Sequence, residues 1–287
     1  MKPPVALTIA GSDSGGGAGI QADIKAMAAL GVHGASAITA ITAQNTLTVT
    51  EILELPLPLV RAQIDAVVDD LHPQATKTGM LSSAAIISCV AEALRTHRLQ
   101  PVVVDPVMVA KGGARLLRED AIDALRSELL PLATVVTPNI PEAEVLLGRD
   151  LATLADRRHA AEDIVRLGPQ VAVVKAGHAH GDAIDVFYDG DRLVELPGHR
   201  VATANTHGSG CAFSAAIAAG MARGISPLEA VQTAKDFIAA AIADAIEIGR
   251  GHGPVNPLPD GFFTRASAKS RSAAASSGHQ FKRGELL

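Results

Sequence analysis

The sequence predicts an α/β fold: a mostly parallel sheet with helices on both faces and a short antiparallel hairpin. Three observations predict it. Short β-prone runs alternate with stretches of helical periodicity along the whole body of the chain. Of 287 residues, 48% are apolar, which is ample for one large core. Asp189-Gly190 stands between two alternating runs, a two-residue hairpin signal.

In chain order, residues 5–10 read as a strand closed by Gly11, and residues 19–30 as the helix that follows. Residues 36–43 form the next β-prone run, and helical periodicity resumes over residues 59–71. Residues 75–78 stop at Gly79 ahead of a helix over 83–97, and residues 102–105 stop at Pro106 ahead of a helix over 119–130. Residues 134–137 meet Pro138 before a short helix over 141–147; a helix over 155–167 then leads into a strand over 171–175. The interruption at residues 183–195 carries the hairpin, and helices over 212–223 and 227–248 complete a single domain spanning residues 1–264. From Arg265 the composition turns to Ser, Ala, Lys and Arg without periodicity, so residues 265–287 read as a disordered tail.

Composition narrows the function classes. Charged residues make up 19% and the formal net charge is −5, so there is no electrostatic case for nucleic acid or an anionic membrane, and the expected partner is a small molecule. Two cysteines, Cys89 and Cys211, exclude a disulfide scaffold and fit a reducing cytoplasm. The apolar run at residues 5–10 is too short for a signal segment, and the one at residues 237–248 carries Asp244 and Glu247. Neither is expected to span a membrane.

Ligands of open α/β sheets bind beyond the carboxyl ends of the strands, which singles out the segments just after each strand. The most telling is Thr206-His207-Gly208-Ser209-Gly210-Cys211, where small residues and a thiol run directly into an apolar helix. Glycines let backbone N–H groups turn toward an anion, and the helix start adds partial positive charge. The same field is expected to lower the pKa of Cys211 and make it a candidate base. The glycine-rich run from Gly11 to Gly19 matches neither nucleotide fingerprint: Ile20 falls on the third dinucleotide glycine, and Gly17 stands where a Walker A loop needs Lys. It reads as a flexible turn or as backbone closing over a small substrate, with Asp23 one turn into the helix.

The remaining strand ends each carry two readings. Gln44 offers a donor and an acceptor to the edge of an aminopyrimidine, or is a solvated loop residue. Met80 is core filler or a pocket wall. Asp105, ending a buried-type strand, is a cap or a handler of metal or protons. Asn139 and Glu142 have the spacing of a capping box, and Glu142 alternatively holds magnesium through water. Lys175 closes an apolar strand where it can meet phosphate. Together these residues make a phosphoryl-transfer inventory.

As an ordered set these segments resemble the hydroxymethylpyrimidine/phosphomethylpyrimidine kinases of thiamine biosynthesis, in the ribokinase superfamily. The match runs through the segment from Ala10 to Asp23, Thr42-Ala43-Gln44-Asn45, Val104-Asp105-Pro106-Val107-Met108, Thr137-Pro138-Asn139, Glu142-Ala143-Glu144 and the segment from Asn205 to Cys211. The resemblance implies a three-layer α/β/α ribokinase-like fold, ATP with Mg2+, a homodimer, and two successive phosphorylations. The first is of 4-amino-5-hydroxymethyl-2-methylpyrimidine and the second of its monophosphate. By position, it gives substrate contacts to Gln44, Gly11, Asp23 and Met80, magnesium to Asp105 and Glu142, and ATP contacts to Asn139, Lys175 and Thr206. It makes Gly208, Ser209, Gly210 and Cys211 an anion hole, with Cys211 as base. The chain departs from the family pattern at Ser209, often Thr, and at Ala176, often Gly, where an added Cβ is expected to restrict the loop after Lys175. A pyridoxal or pyridoxine kinase is the nearest rival, and a non-catalytic pyrimidine-binding sensor is the rival from another class.

Overall fold

The computed structural model describes residues 2–110, 113–114, 116–177 and 183–259. The reading of residues 265–287 as a tail lies outside them.

Among the described residues, nine strands form one sheet in the order β3-β2-β1-β4-β5-β6-β7-β8-β9. The parallel body comprises β1 (Val5–Asp13), β2 (His33–Gln44), β4 (Ala75–Thr78), β5 (Val102–Val104), β6 (Val135–Val136) and β7 (Val171–Val174). Its central strands are runs of Val, Thr and Ala buried on both faces, which is what a sheet sandwiched between two helical layers requires. One layer packs α2 (Leu57–Leu71), α3 (Ala84–Thr96), α4 (Ala121–Ala124), α5 (Ile140–Leu147) and α6 (Leu154–Arg166) against Leu7, Ile9, Val102 and Val104. The other packs α1 (Gly19–Ala29), α7 (Ser209–Ala222) and α8 (Pro227–Ala243) against Ala6, Val103 and Val135. This is the expected three-layer arrangement.

Helix α7 explains its own composition. Eleven of its residues, from Ala212 to Ala222, are buried, so it has no polar face to give to water. Alanines and glycine let it lie close to its neighbours: a Cβ at Gly220 would come 3.0 Å from the Cβ of Ala230 on α8.

The structure corrects several sequence expectations. Strand β3 (Val49–Glu54) was not anticipated; it pairs antiparallel with β2 at the sheet edge, and mostly exposed Thr and Glu positions gave it little apolar signal. The helix expected over 119–130 is a single α turn, then a π-helical turn over Leu125–Leu129 and a 3₁₀ turn over Leu130–Leu132, because Pro131 cannot continue an α-helix. The last helix ends at Ala243, short of Ile248. The hairpin of β8 (Asp185–Tyr188) and β9 (Leu193–Leu196) is present, but its two turn residues are Gly190-Asp191, with Asp189 opposite Arg192. Gly190, at φ +91°, is the residue that makes this turn possible.

Strands β1 and β4 are neighbours whose chain connections leave in opposite directions, to β2 on one side and β5 on the other. That switch point opens a crevice at the carboxyl ends of the strands.

Candidate active site

A cleft of about 660 Å³ occupies this crevice. Gly11, Gln44, Met80, Asp105, Asn139, Glu142, Lys175, Thr206, Gly208, Ser209, Gly210 and Cys211 all line it. One candidate from the sequence does not. Asp23 is fully buried on α1, where it accepts hydrogen bonds from Thr8 Oγ1 at 2.6 Å and from Lys77 Nζ at 2.8 and 3.0 Å. Its carboxylate is consumed by an internal ion pair, so it is not a substrate contact.

The phosphate end is built on the start of α7. Gly208 caps the helix at φ +76°, and only Ser209 among the first N–H groups turns back, to the Thr206 carbonyl. The first-turn N–H groups of Gly210 and Cys211 have no preceding helical carbonyl to bond and sit in the cleft wall. They are the N–H groups on which the sequence reading placed an anion hole. Opposite them stand Lys175 and Asp105, paired at 3.2 Å. A Cβ on Gly210 would come 3.5 Å from Lys175 Nζ and 3.8 Å from Asp105 Oδ2, so glycine brings the helix start against this pair.

Electrostatics sort these groups. Burial disfavours the Lys175 ammonium, but Asp105 and Glu142 outweigh it and hold it above the ordinary lysine range. Burial pushes the Glu142 carboxyl up to about 7, aided by Asp105 and opposed by Lys175. The capping box is real: Asn139 Oδ1 accepts from the Glu142 N–H at 2.9 Å, and Glu142 Oε2 accepts from the Asn139 N–H at 2.8 Å. The capping reading is the one observed, and the box fixes two side chains that also line the cleft.

The expected thiolate at Cys211 is overturned. Burial pushes the thiol up to about 12, and Asp23 and Asp105 add to the rise; Lys77 and the Gly19 N–H pull against it. Desolvation beats the helix start here, so the resting group is a thiol.

The loop that Ala176 was expected to restrict lies largely outside the described residues. Ala176 itself is fully buried, and its N–H donates to Asp185 Oδ1 at 2.7 Å.

Sequence reasoning missed two further residues. Asp13 Oδ2 accepts from His207 Nε2 at 2.8 Å and from the N–H groups of Gly17 and Ala18 at 3.0 and 2.8 Å, while Oδ1 takes the Gly15 N–H at 2.8 Å. Burial alone would raise Asp13, but His207 and these N–H groups reverse it and leave the carboxyl below its ordinary value. The pair ties the glycine-rich loop to the anion-hole loop. The available signal was an Asp followed by glycines, a local turn pattern that read as a flexible connection. His207 Nε2 also lies 3.4 Å from the Gln44 amide. A strap after α8 secures the same junction: Gly253 N–H donates to Asn205 Oδ1 and His252 N–H to the Thr46 carbonyl, both at 2.9 Å.

For magnesium, the described residues contain no group of three or more His, Cys, Asp and Glu side chains arranged around one point. Asp105 and Glu142 are carboxylates of the cleft wall that interact with Lys175. Such a sparse set fits an ion that keeps waters and takes its other ligands from phosphates.

Comparison with known proteins follows the same lines. The family model of phosphomethylpyrimidine kinase matches residues 13–256. A hydroxymethylpyrimidine/phosphomethylpyrimidine kinase of Rhizobium meliloti is 54% identical over 256 residues, covering 88% of this chain and 96% of that protein. A thiamine biosynthesis bifunctional protein of Geobacter sulfurreducens is 49% identical over 253 residues, which are 88% of this chain and 52% of that one. Among solved structures, the ADP complex of Bacillus subtilis pyridoxal kinase superposes with a TM-score of 0.84 at 41% identity, covering 90% of this chain and 98% of that one. No described helix is long and apolar enough to cross a membrane.

Proposed function

The chain belongs to the phosphomethylpyrimidine kinase family, and from that premise we infer a kinase of thiamine biosynthesis that phosphorylates hydroxymethylpyrimidine and then its monophosphate, with ATP as donor. The observation that carries this reading is the meeting of Gln44 with the anion-hole loop in one cleft, 3.4 Å apart through His207. Gln44 presents its amide to the pyrimidine edge, and Gly11 and Met80 form the wall beside it. Gly11 faces the Met80 sulfur so closely that an added Cβ would stand 3.0 Å away. The amides of Gly210 and Cys211 receive the transferring phosphoryl group, and Lys175 balances its charge from the other side. Asn139, Lys175 and Thr206 are assigned to the ATP phosphates.

Asp105 and Glu142 are the residues that would hold magnesium, which when bound would neutralise charge on the phosphates. Their share is to present oxygen donors at fixed positions, Glu142 through its capping box and Asp105 through its bond to Lys175. Catalysis then rests chiefly on alignment and charge stabilisation.

Product mass after incubation with ATP, magnesium and hydroxymethylpyrimidine tests the function. Two added phosphoryl groups are expected, and pyridoxal is expected to compete poorly. An unmodified pyrimidine, or pyridoxal phosphorylated in preference to it, would overturn the assignment.

A homodimer is the assembly we assign. The outer edge strand β3 leaves Leu53 65% exposed and Ile52 40% exposed, with Ile41, opposite Leu53 on β2, at 46%. An open apolar edge of this kind is a template for a second chain. Light scattering should give about twice the 29.4 kDa chain mass, and Leu53→Glu should reduce it to one. A single-chain mass for the unaltered protein would rule the dimer out.

A further inference from the structure

The cleft wall around Gln44 carries a hydrogen-bond conflict, and its resolution gives Thr42 and His207 a task. Thr42 Oγ1 lies 3.0 Å from the Ser12 carbonyl oxygen and 3.1 Å from Gln44 Oε1, while Gln44 Nε2 lies 3.4 Å from His207 Nε2. Ser12, Thr42, Gln44 and His207 all line the cleft. The backbone of Gln44 is held in place independently, because Ser14 Oγ donates to its carbonyl and accepts its N–H, both at 2.8 Å.

A hydroxyl has a single proton to donate, and the Ser12 carbonyl can only accept. Bonded to that carbonyl, Thr42 has only a lone pair left for the amide, so two acceptors face each other at 3.1 Å. The other end of the amide has the converse problem. His207 Nε2 stands 2.8 Å from Asp13 Oδ2, an oxygen that also accepts the N–H groups of Gly17 and Ala18 and so has no proton of its own to give. The proton between them belongs to Nε2, in the neutral and the charged ring alike. An amide NH2 aimed at that N–H meets a second donor. The oxygen and nitrogen of a carboxamide are told apart by what they bond, and exchanging them removes both conflicts. The NH2 then donates to Thr42 Oγ1, and the oxygen becomes a second, longer acceptor for the His207 N–H.

We propose that Thr42 and His207 are positioning residues that fix the Gln44 carboxamide with its oxygen on the His207 side and its nitrogen on the Thr42 side, and so set which heterocycle edge the cleft accepts. This rests on the reading of the protein as a hydroxymethylpyrimidine kinase. His207 directly precedes Gly208, the cap of α7, so the amide oxygen belongs to the end beside the anion-hole loop. In 4-amino-5-hydroxymethyl-2-methylpyrimidine the amino group is on the carbon next to the one bearing the hydroxymethyl, and ring N3 follows it. With the hydroxymethyl group directed at the anion hole, this edge runs donor and then acceptor away from it. The fixed amide runs acceptor and then donor, and matches both. The 4-oxo analogue, 5-hydroxymethyl-2-methylpyrimidin-4(3H)-one, presents a carbonyl oxygen and then an N3–H. It sets like against like at both positions.

Dissociation constants for the amino and 4-oxo pyrimidines, measured by calorimetry without ATP, read this discrimination directly. The parent protein should bind the amino form at least about a hundredfold more tightly. Thr42→Val and His207→Leu should each cut that ratio by about tenfold, since an amide anchored at one end only can turn to suit either edge. Thr42→Ser keeps the hydroxyl and should stay within about threefold of the parent ratio. Thermal melting identifies the variants that fold, and the parent ratio needs no substitution at all. A parent that binds the two pyrimidines alike overturns the proposal. So does a folded Thr42→Val or His207→Leu protein that loses affinity for both in equal proportion, which would make the residue structural only. Product mass separates this inference from the function: if the amino form gains its phosphoryl groups while the ratio ignores Thr42 and His207, the kinase stands and the positioning role falls. A parent that neither binds nor phosphorylates the amino form overturns both.

Discussion

Replacing Gly208 with alanine is expected to lower kcat for both phosphorylations by at least about a hundredfold, a larger loss than its cost in stability would suggest. Two effects act at this position. The residue sits at φ +76°, which an L side chain adopts at a cost of about 1 kcal/mol. More seriously, an added Cβ would overlap the carbonyl oxygen of Gly17 and stand 3.2 Å from the Ala18 Cα. Both neighbours are backbone and neither can rotate away. The glycine-rich loop and the anion-hole loop must part, and Asp13 then no longer reaches His207 and the Gly17 N–H together. A displacement near 1 Å at a reacting centre is enough for a loss on the order of a hundredfold. Gly224 supplies the control: its φ is +78°, but nothing lies within 4 Å of an added Cβ. Gly224→Ala should lose similar backbone stability in a thermal melt and keep kcat. Rates within a few-fold of the parent for Gly208→Ala would show that the two loops need no close contact.

The difference between what the sequence displayed and what it hid follows from the range of the forces involved. Buried parallel strands must be apolar on both faces, so the runs at residues 75–78 and 102–105 were legible within a residue of their observed ends. The edge strand β3 faces water and carries no such signature. The same division applies to the site. Gly208, Gly210 and Cys211 were legible as a helix start because that start and its glycines are contiguous in sequence. Asp13 and His207 are 194 residues apart, and Lys77 is 54 from Asp23, so nothing local could pair them. Asp23 was misplaced for that reason: its position one turn into α1 was right, but its orientation depends on a lysine from another strand. The Cys211 pKa failed similarly. The helix start is a local term and favours thiolate, whereas desolvation is set by everything packed around the thiol and prevails.

That reversal changes how Cys211 is expected to work. A thiol pushed up to about 12 is almost wholly protonated at neutral pH. If the rare thiolate accepts the hydroxymethyl proton, the first phosphorylation must accelerate with pH. The sign is fixed: each unit of pH below about 12 raises the thiolate fraction tenfold, so log kcat for that step should climb with a slope near one from neutrality upward. The second phosphorylation starts from a phosphate monoester that is already anionic, needs no such acceptor, and should show little of this slope. Cys211→Ala should therefore lower the first rate by about a hundredfold and flatten its pH profile, while the second rate falls less than about tenfold, because the anion-hole amides come from the backbone and survive the substitution. Single-turnover rates with each pyrimidine, measured from neutral to alkaline pH, distinguish the cases. Equal losses in both steps would make Cys211 a shaping residue of the loop. A pH-independent first step that still collapses in the alanine variant would mean that the thiol serves as a hydrogen-bond donor to the phosphoryl oxygens, with the hydroxyl proton passing late in a loose transition state.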